Sequence, residues 1–321
     1  MASSDKPAYS GGSVKLSGVF RLIALEFDYV ARAPVHLAAG KATNIVRGSL
    51  GLALRGQCCP PSCTDSKTCS QQCLYQQLFE GETGGARSSG YREPPRPFVL
   101  RSPDWAARTV APGEHLVTSL HLFDQRPEIL QALLLAYSRM GDAGLGPGRA
   151  PLTLTGIRQP GGVLWRPEGT MRKPAVTTLD LSPVEDAPSR IKATFLTPTE
   201  IKVRGEITRD AAFAPLFARL HERLSFLIKH YSEAELTEND GTLEAAKAIV
   251  TVGQNLRDTA SVTRYSTRTG QTHPLAGFVG EAIYEGDFTR LWPWLKASEW
   301  TGVGRQTVWG KGVIGWTECE P

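Results

Sequence analysis

The chain has 321 residues, 41% of them hydrophobic and 21% charged, with a formal net charge of +4. That length suits two domains, each large enough to bury its own core, and the composition is that of an ordinary globular protein rather than a disordered or fibrous one. No apolar run approaches the roughly 20 residues a membrane span needs, and the polar start Met1-Ala2-Ser3-Ser4-Asp5-Lys6 has no secretion-signal core, so a cytoplasmic protein without membrane partners is expected. The mild positive charge permits an anionic partner without demanding one, and a basic site has to be sought locally.

Residues 18–30 are dense in Val19, Phe20, Leu22, Ile23, Leu25, Phe27 and Tyr29, the mark of an opening strand. After a loop through Pro34 and Gly40, Thr43 or Asn44 is the expected N-cap of a helix that carries Ile45, Val46, Leu50 and Leu54. Five of the six cysteines then fall within sixteen residues: Cys58, Cys59, Cys63, Cys69 and Cys73. Such crowding without a secretion signal points to metal thiolates before disulfides. Cys63, Cys69, Cys73 and one of Cys58 or Cys59 supply the four soft ligands of a structural zinc. The spacing departs from a double C-x-x-C knuckle, which leaves an iron–sulfur cluster or free thiols as alternatives. A closed four-thiolate site has no position for substrate, so its expected role is to staple an insertion at 56–80.

A Gly/Ser/Pro/Arg stretch over 81–97 follows, and Arg87, Arg92, Arg96, Arg101 and Arg108 make it basic. Strands are predicted at 98–101 and 115–123, the second alternating His115, Val117, Ser119 and His121 against Leu116, Thr118, Leu120 and Leu122. Pro127 opens a helix that runs to about Met140, and 152–157 is a closing strand. The order is β-α-β-β-α-β, the ferredoxin-like arrangement, over a domain at 14–160. Residues 161–188 read as a linker.

The same order recurs at 189–318: a strand at 191–203, a helix at 213–231 with its apolar positions on a 3.6 period, an acidic helix-forming insertion at 232–255, strands at 262–267 and 277–284, a short helix at 288–296 and a last strand at 308–316. Arg257, Arg264 and Arg268 form a second basic group. The fold class is α+β: two tandem ferredoxin-like (RRM-like) domains, with a cysteine-rich insertion in the first. Near the end, residues 302–312 (Gly-Val-Gly-Arg-Gln-Thr-Val-Trp-Gly-Lys-Gly) hold four glycines and two cations in eleven positions. Glycine lets a backbone lie close to an irregular charged ligand, which favours phosphate or RNA, with a crowded structural turn as the alternative. On the first reading, a branched side chain at Gly304 keeps a phosphate off the backbone and leaves the fold intact.

The run Gly277-Phe278-Val279-Gly280-Glu281-Ala282-Ile283-Tyr284-Glu285-Gly286, then Leu291-Trp292-Pro293-Trp294-Leu295, then the glycine-rich loop, resembles the C-terminal half of the RAMP-superfamily endoribonucleases that process CRISPR precursor RNA. Residues 44–55 (Asn-Ile-Val-Arg-Gly-Ser-Leu-Gly-Leu-Ala-Leu-Arg) are similar to that group's Arg-Gly-x-x-Gly-x-x-Leu helix. Cys73-Leu74-Tyr75-Gln76-Gln77-Leu78-Phe79 resembles the end of its cysteine-rich insertion. Pro112-Gly113-Glu114-His115, Gly144-Leu145-Gly146 with Arg149, and Arg219-x-x-x-Arg223 also fit.

The resemblance implies a metal-independent endoribonuclease in which the ribose 2′-OH attacks the adjacent phosphate, giving a 2′,3′-cyclic phosphate. It implies CRISPR repeat RNA and mature crRNA as partners, other effector subunits beside them, and no catalytic cofactor. In many relatives a catalytic histidine lies between the first strand and first helix with a lysine shortly after, which here selects His36 and Lys41, with Tyr29, Arg32 and Arg47 as nearby groups for orientation and charge. RNA contacts are expected from Arg32, Arg264, Arg268, Gly302, Gly304, Arg305, Gln306, Trp309 and Lys311. His115 and His121 are the other candidates for proton transfer, whereas His221 and His230 border an apolar helix stripe and read as structural or solvent-facing. Two rivals are a cleavage-defective RAMP subunit that only binds guide RNA and a zinc-stabilised interaction protein without an RNA role.

Overall fold

A computed structural model of the chain describes residues 18–320 apart from 61–62, 64–72, 81–94, 103–105, 204, 233–235, 237–240, 260–262 and 266–271. The first half runs β1 (Val19–Ala31), β2 (Val35–Leu37), α1 (Ala42–Cys58), β3 (Phe98–Arg101), β4 (Arg108–Val110), β5 (His115–Leu122), α2 (Pro127–Ala143), β6 (Leu152–Gln159), β7 (Gly162–Trp165) and β8 (Thr177–Asp180). Its sheet has the order β3-β5-β1-β6-β7, with β8 paired to the start of β1. All of these pairings are antiparallel. The expected linker is therefore not one throughout: β7 extends the sheet past β6, and β8 adds to the other end of β1.

The second half runs β9 (Arg190–Thr199), β10 (Ile201–Val203), β11 (Glu206–Thr208), α3 (Phe213–Tyr231), α4 (Thr242–Lys247), β12 (Val250–Asp258), β13 (Thr263–Tyr265), β14 (Thr272–Pro274), β15 (Phe278–Glu285), α5 (Trp292–Thr301) and β16 (Ile314–Glu318). The order β12-β15-β9-β16 repeats that of β3-β5-β1-β6. In each half the first strand after the crossover helix sits at the edge, and the opening strand lies between the third and fourth. The strand expected at 262–267 is replaced in the sheet by β12, and β13 forms a small hairpin with β14 instead. The expected strand at 191–203 breaks at Glu200, after which β10 turns into its own ribbon with β11.

The run Leu22-Ile23-Ala24-Leu25 is buried at every position, against the alternation of a one-sided strand. Successive side chains point to opposite faces, and both faces are covered: Ile23, Leu25, Phe27 and Tyr29 join the core under α1 and α2, while Phe20, Leu22 and Ala24 join the core of the second half. The same split runs through β3, where Phe98 and Leu100 belong to the first core and Val99 to the second. By this parity Arg101 follows Val99 and faces the second half, as does His121, the cross-strand partner of Val99. The two halves thus share a seam built on the back of the first sheet, and each large aromatic buried there contributes roughly 1.5–3 kcal/mol.

Candidate nucleic-acid interface

His36 is exposed on β2, opposite Thr109 of β4. Its Nδ1 lies 3.0 Å from Thr109 Oγ1, which orients the ring. A tight turn, closed by the Lys41 amide donating to the Ala38 carbonyl at 3.0 Å, leads into α1, whose N-cap is Lys41 without a side-chain cap bond. An imidazole and an ammonium therefore flank a helix start whose amide groups carry partial positive charge. Such a set can exchange a proton and stabilise negative charge on a phosphate. The N-cap falls two residues before the expected Thr43.

The remaining groups named for this site are placed differently. Tyr29 is fully buried, its hydroxyl donates to the Tyr137 carbonyl at 2.7 Å, and burial followed by the charge of Tyr137 holds its pKa well above the usual value. It is a core residue, which corrects the expectation of a catalytic role. Arg47 lies half-buried with its guanidinium over the Phe79 ring at 4.9 Å, so it belongs to the packing of α1 on the segment after the cysteines. Arg32 is exposed and pairs with Asp142 at 3.2 Å.

The glycine-rich loop is packed. Gly302 (φ +69°), Gly304 (φ +79°), Gly310 (φ +85°) and Gly312 (φ +69°) all lie in the left-handed region. A Cβ at Gly304 would collide with the Glu200 carbonyl, one at Gly312 with the Val303 carbonyl, and one at Gly310 would lie 2.5 Å from Thr43 Oγ1. The glycines are thus demanded by the chain's own backbone and by the first turn of α1. Lys311 is wholly buried; its Nζ donates to Glu200 Oε2 at 3.3 Å and Gln306 Oε1 at 2.9 Å. Burial lowers its pKa, with the Glu200 charge opposing. Arg305, about half exposed, pairs with the other oxygen of Glu200, itself buried. Lys311 and Gln306 therefore form an internal clamp, which corrects the RNA-contact role expected of Lys311, while Arg305 keeps an open side. Trp309 is half-buried in the short helical turn at 307–309, which packs on β3 and α1. That contact brings the loop against the helix start at Lys41.

Among the other expected contacts, Arg264 sits opposite His273 in the β13–β14 hairpin, and Arg268 lies outside the described residues, as do Arg87 and Arg92. Arg108 is exposed, with Nη2 donating to the His115 carbonyl at 3.4 Å. His115 Nδ1 in turn lies 2.7 Å from Asp28 Oδ1. His221 stacks on Trp294 at 4.4 Å, and His230, exposed at the end of α3, has Nδ1 2.9 Å from the Phe226 carbonyl. Three residues went unnoticed in the sequence: Thr109, Glu200 and the buried face of Arg101. Only the last had a signal, its parity with Val99.

At the end of α1 and just beyond it, Cys58, Cys59, Cys63 and Cys73 are each half-buried. Cys59 Sγ and Cys73 Sγ are 3.7 Å apart. Burial, then the neighbouring Cys73, raises the Cys58 pKa. Among the described residues no group of three or more metal-binding side chains is assembled; Cys69 lies outside them. Downstream, Leu78 and Phe79 enter the first core, with Phe79 against Gly51, so the segment is anchored at both ends.

Taken together, the repeated strand order, the seam and the loop laid against the first turn of α1 define a mixed α+β protein of two like halves. Residues 193–314 match the family model for CRISPR-associated endoribonuclease Cas6, and residues 20–176 match a model for an N-terminal domain, AF_1859_N. In its family-model match and in its fold the chain is similar to Cas6/RAMP-type CRISPR repeat-processing proteins. It resembles a Cas6 product complex at TM-score 0.56 and 18% identity, covering 92% of this chain and 99% of that one. Thermus thermophilus Cas6 matches at TM-score 0.51 and 16% identity, covering 92% and 98%. The Cas6 part of a Cas6–RT–Cas1–Cas2 complex matches at TM-score 0.53 and 13% identity, covering 94% of this chain and 46% of that one. No curated protein matches the sequence. No helix among the described residues is long and apolar enough to cross a membrane.

Proposed function

We propose that this chain is a metal-independent endoribonuclease that binds CRISPR repeat RNA across two ferredoxin-like units and cuts it to mature crRNA. The observation that carries the reading is His36: an exposed imidazole, oriented by Thr109, five residues before the Lys41 N-cap of α1, whose first turn at Thr43 lies against the glycine-rich loop. In the proposed reaction His36 accepts the proton of the ribose 2′-OH. The 2′-oxygen bonds to phosphorus, the bond from phosphorus to the 5′-oxygen breaks, and that oxygen takes a proton from solvent to leave as the 5′-OH. Lys41 and the first amides of α1 stabilise the extra charge on the phosphorane. Arg305 and Trp309 contact the RNA from the loop, and the product stays available to effector subunits.

Repeat RNA cleavage that continues in excess chelator, stops when the nucleotide 5′ of the scissile phosphate is 2′-deoxy, and leaves a cyclic phosphate is the expected result. A requirement for added divalent metal with a 3′-OH product overturns the mechanism. Binding without any cleavage favours a guide-RNA-binding subunit, and the absence of both favours an interaction protein.

The cysteines carry a structural rather than a catalytic proposal. The 3.7 Å between Cys59 Sγ and Cys73 Sγ suits two thiolates across a tetrahedral zinc with bonds of about 2.3 Å. Cys63 and Cys69 are the remaining candidates, with Cys58 the substitute for Cys59. Metal analysis of freshly purified protein is expected to find about one zinc per chain, and none in unoxidised protein rules the site out.

A further inference from the structure

Among the described residues, the seam holds a cation without a counter-ion. Arg101 ends β3 on the face turned to the second half. Both terminal guanidinium nitrogens, Nη1 and Nη2, are inaccessible and have no hydrogen-bond partner. The nearby charge is also positive: Arg223, buried on α3, reinforces the effect of burial in lowering the Arg101 pKa to about 9. A buried cation that lacks an anion costs several kcal/mol, so the surroundings have to be asked what they leave unfilled.

The obvious acceptors are the last carbonyls of α5, and they are taken. His121 Nδ1 donates to Trp300 O at 2.8 Å, Arg223 Nε to Thr301 O at 3.2 Å, and the Thr301 hydroxyl to Gly302 O at 3.0 Å. Gly302 itself is where the glycine-rich loop begins, and a Cβ there would lie 3.2 Å from Arg101 Nη2. The guanidinium fork therefore rests directly under the loop backbone with two donor nitrogens unused. A planar fork of this kind matches two oxygens of a phosphate.

We propose that Arg101 is the centre of an anion-binding site in the seam beneath residues 302–304, built for a backbone phosphate of bound RNA. The site rests on the RNA reading above, and it gives the loop a second role as the cover of a phosphate receptor. Arg223 supports the site by adding positive potential while it holds the end of α5. The ligand-free protein carries the cost of the unpaired charge, and the phosphate relieves it.

The test compares wild type with Arg101→Met, which keeps the packing volume and removes the charge, and Arg101→Lys, which keeps the charge and loses the fork. Melting is measured with and without inorganic phosphate, and repeat-RNA affinity is measured across a salt series. Arg101→Met is expected to melt higher than wild type in ligand-free buffer and to lose the phosphate-dependent rise beyond the general salting effect. It is expected to bind repeat RNA about tenfold more weakly with a salt slope reduced by about one, and Arg101→Lys to recover part of the affinity. An Arg101→Met protein that melts lower than wild type, responds equally to phosphate and binds RNA with unchanged affinity and slope overturns the site and makes Arg101 a packing residue. If wild type binds no repeat RNA but its phosphate response still depends on Arg101, the RNA reading fails and the anion site stands.

Discussion

The turn at 36–41 leads into α1 and the loop at 302–312 packs on the first turn of that helix, yet they are built on opposite principles. The first is open: His36 is exposed and held by the Thr109 hydroxyl. The second is closed: its glycines are fixed by carbonyls of Glu200 and Val303 and by Thr43, and one of its two cations is wholly buried. A glycine-rich sequence signals close backbone approach without saying what approaches. Here much of the approach is internal, and the chemistry falls to the plainer segment.

The contrast breaks first at Gly304. Gly304→Val has to leave a positive φ and a clash with the Glu200 backbone, which together are expected to cost more than about 4 kcal/mol. The variant should be insoluble or melt far below wild type, where a purely ligand-facing loop would leave melting unchanged.

Glu200→Gln comes next. It strands the buried Lys311 ammonium without a counter-charge, for an expected loss of about 3 kcal/mol in denaturant unfolding. Adding Lys311→Met should recover much of it, and a double-mutant cycle with no coupling between the two would show that the clamp is not the anchor of the loop.

The smallest effect concerns acid. Burial, then the Arg101 charge, lowers the His121 pKa to about 4, opposed by its bond to the Trp300 carbonyl. The unfolded histidine binds its proton near the ordinary value of about 6.5, before the folded one does. Stability is therefore retained above about 6.5 and lost as pH falls towards 4, by at most about 1.4 kcal/mol per unit. His121→Gln should flatten this slope, and an unchanged slope would place the acid sensitivity elsewhere.

Much of the fold was legible in the sequence because burial is periodic. The helix at 213–231 coincides with α3, and the strand at 98–101 with β3. The alternation of His115 to Leu122 is also the burial pattern of β5. The strand β12 was hidden because it is an edge strand: exposed Val250 and Val252 are followed by Gly253, Gln254 and Asn255, with little apolar contrast to read. The helix α5 begins four residues late relative to its apolar run, because Phe288 and Leu291 pack before Trp292 opens the helix.

The candidate site was half legible. His36 and Lys41 lie on the predicted connection, whereas Tyr29 shares the parity of Leu25 and Phe27 and its burial was already written there. Glu200 left no trace, since a buried acid that answers two cations more than 100 residues away, at |i−j| of 105 and 111, has no local pattern. Thr109 is likewise found only through the pairing of β2 with β4.

The division of labour between the two regions is tested most directly by single-turnover cleavage of repeat RNA by His36→Ala, measured beside its melting temperature and RNA affinity. Loss of the general base is expected to slow cleavage by about a hundredfold to ten-thousandfold with melting and binding unchanged, because His36 is exposed and, among the described residues, bonds the Thr109 hydroxyl alone. Cleavage at the wild-type rate by folded His36→Ala would contradict the account and move the chemistry away from this turn.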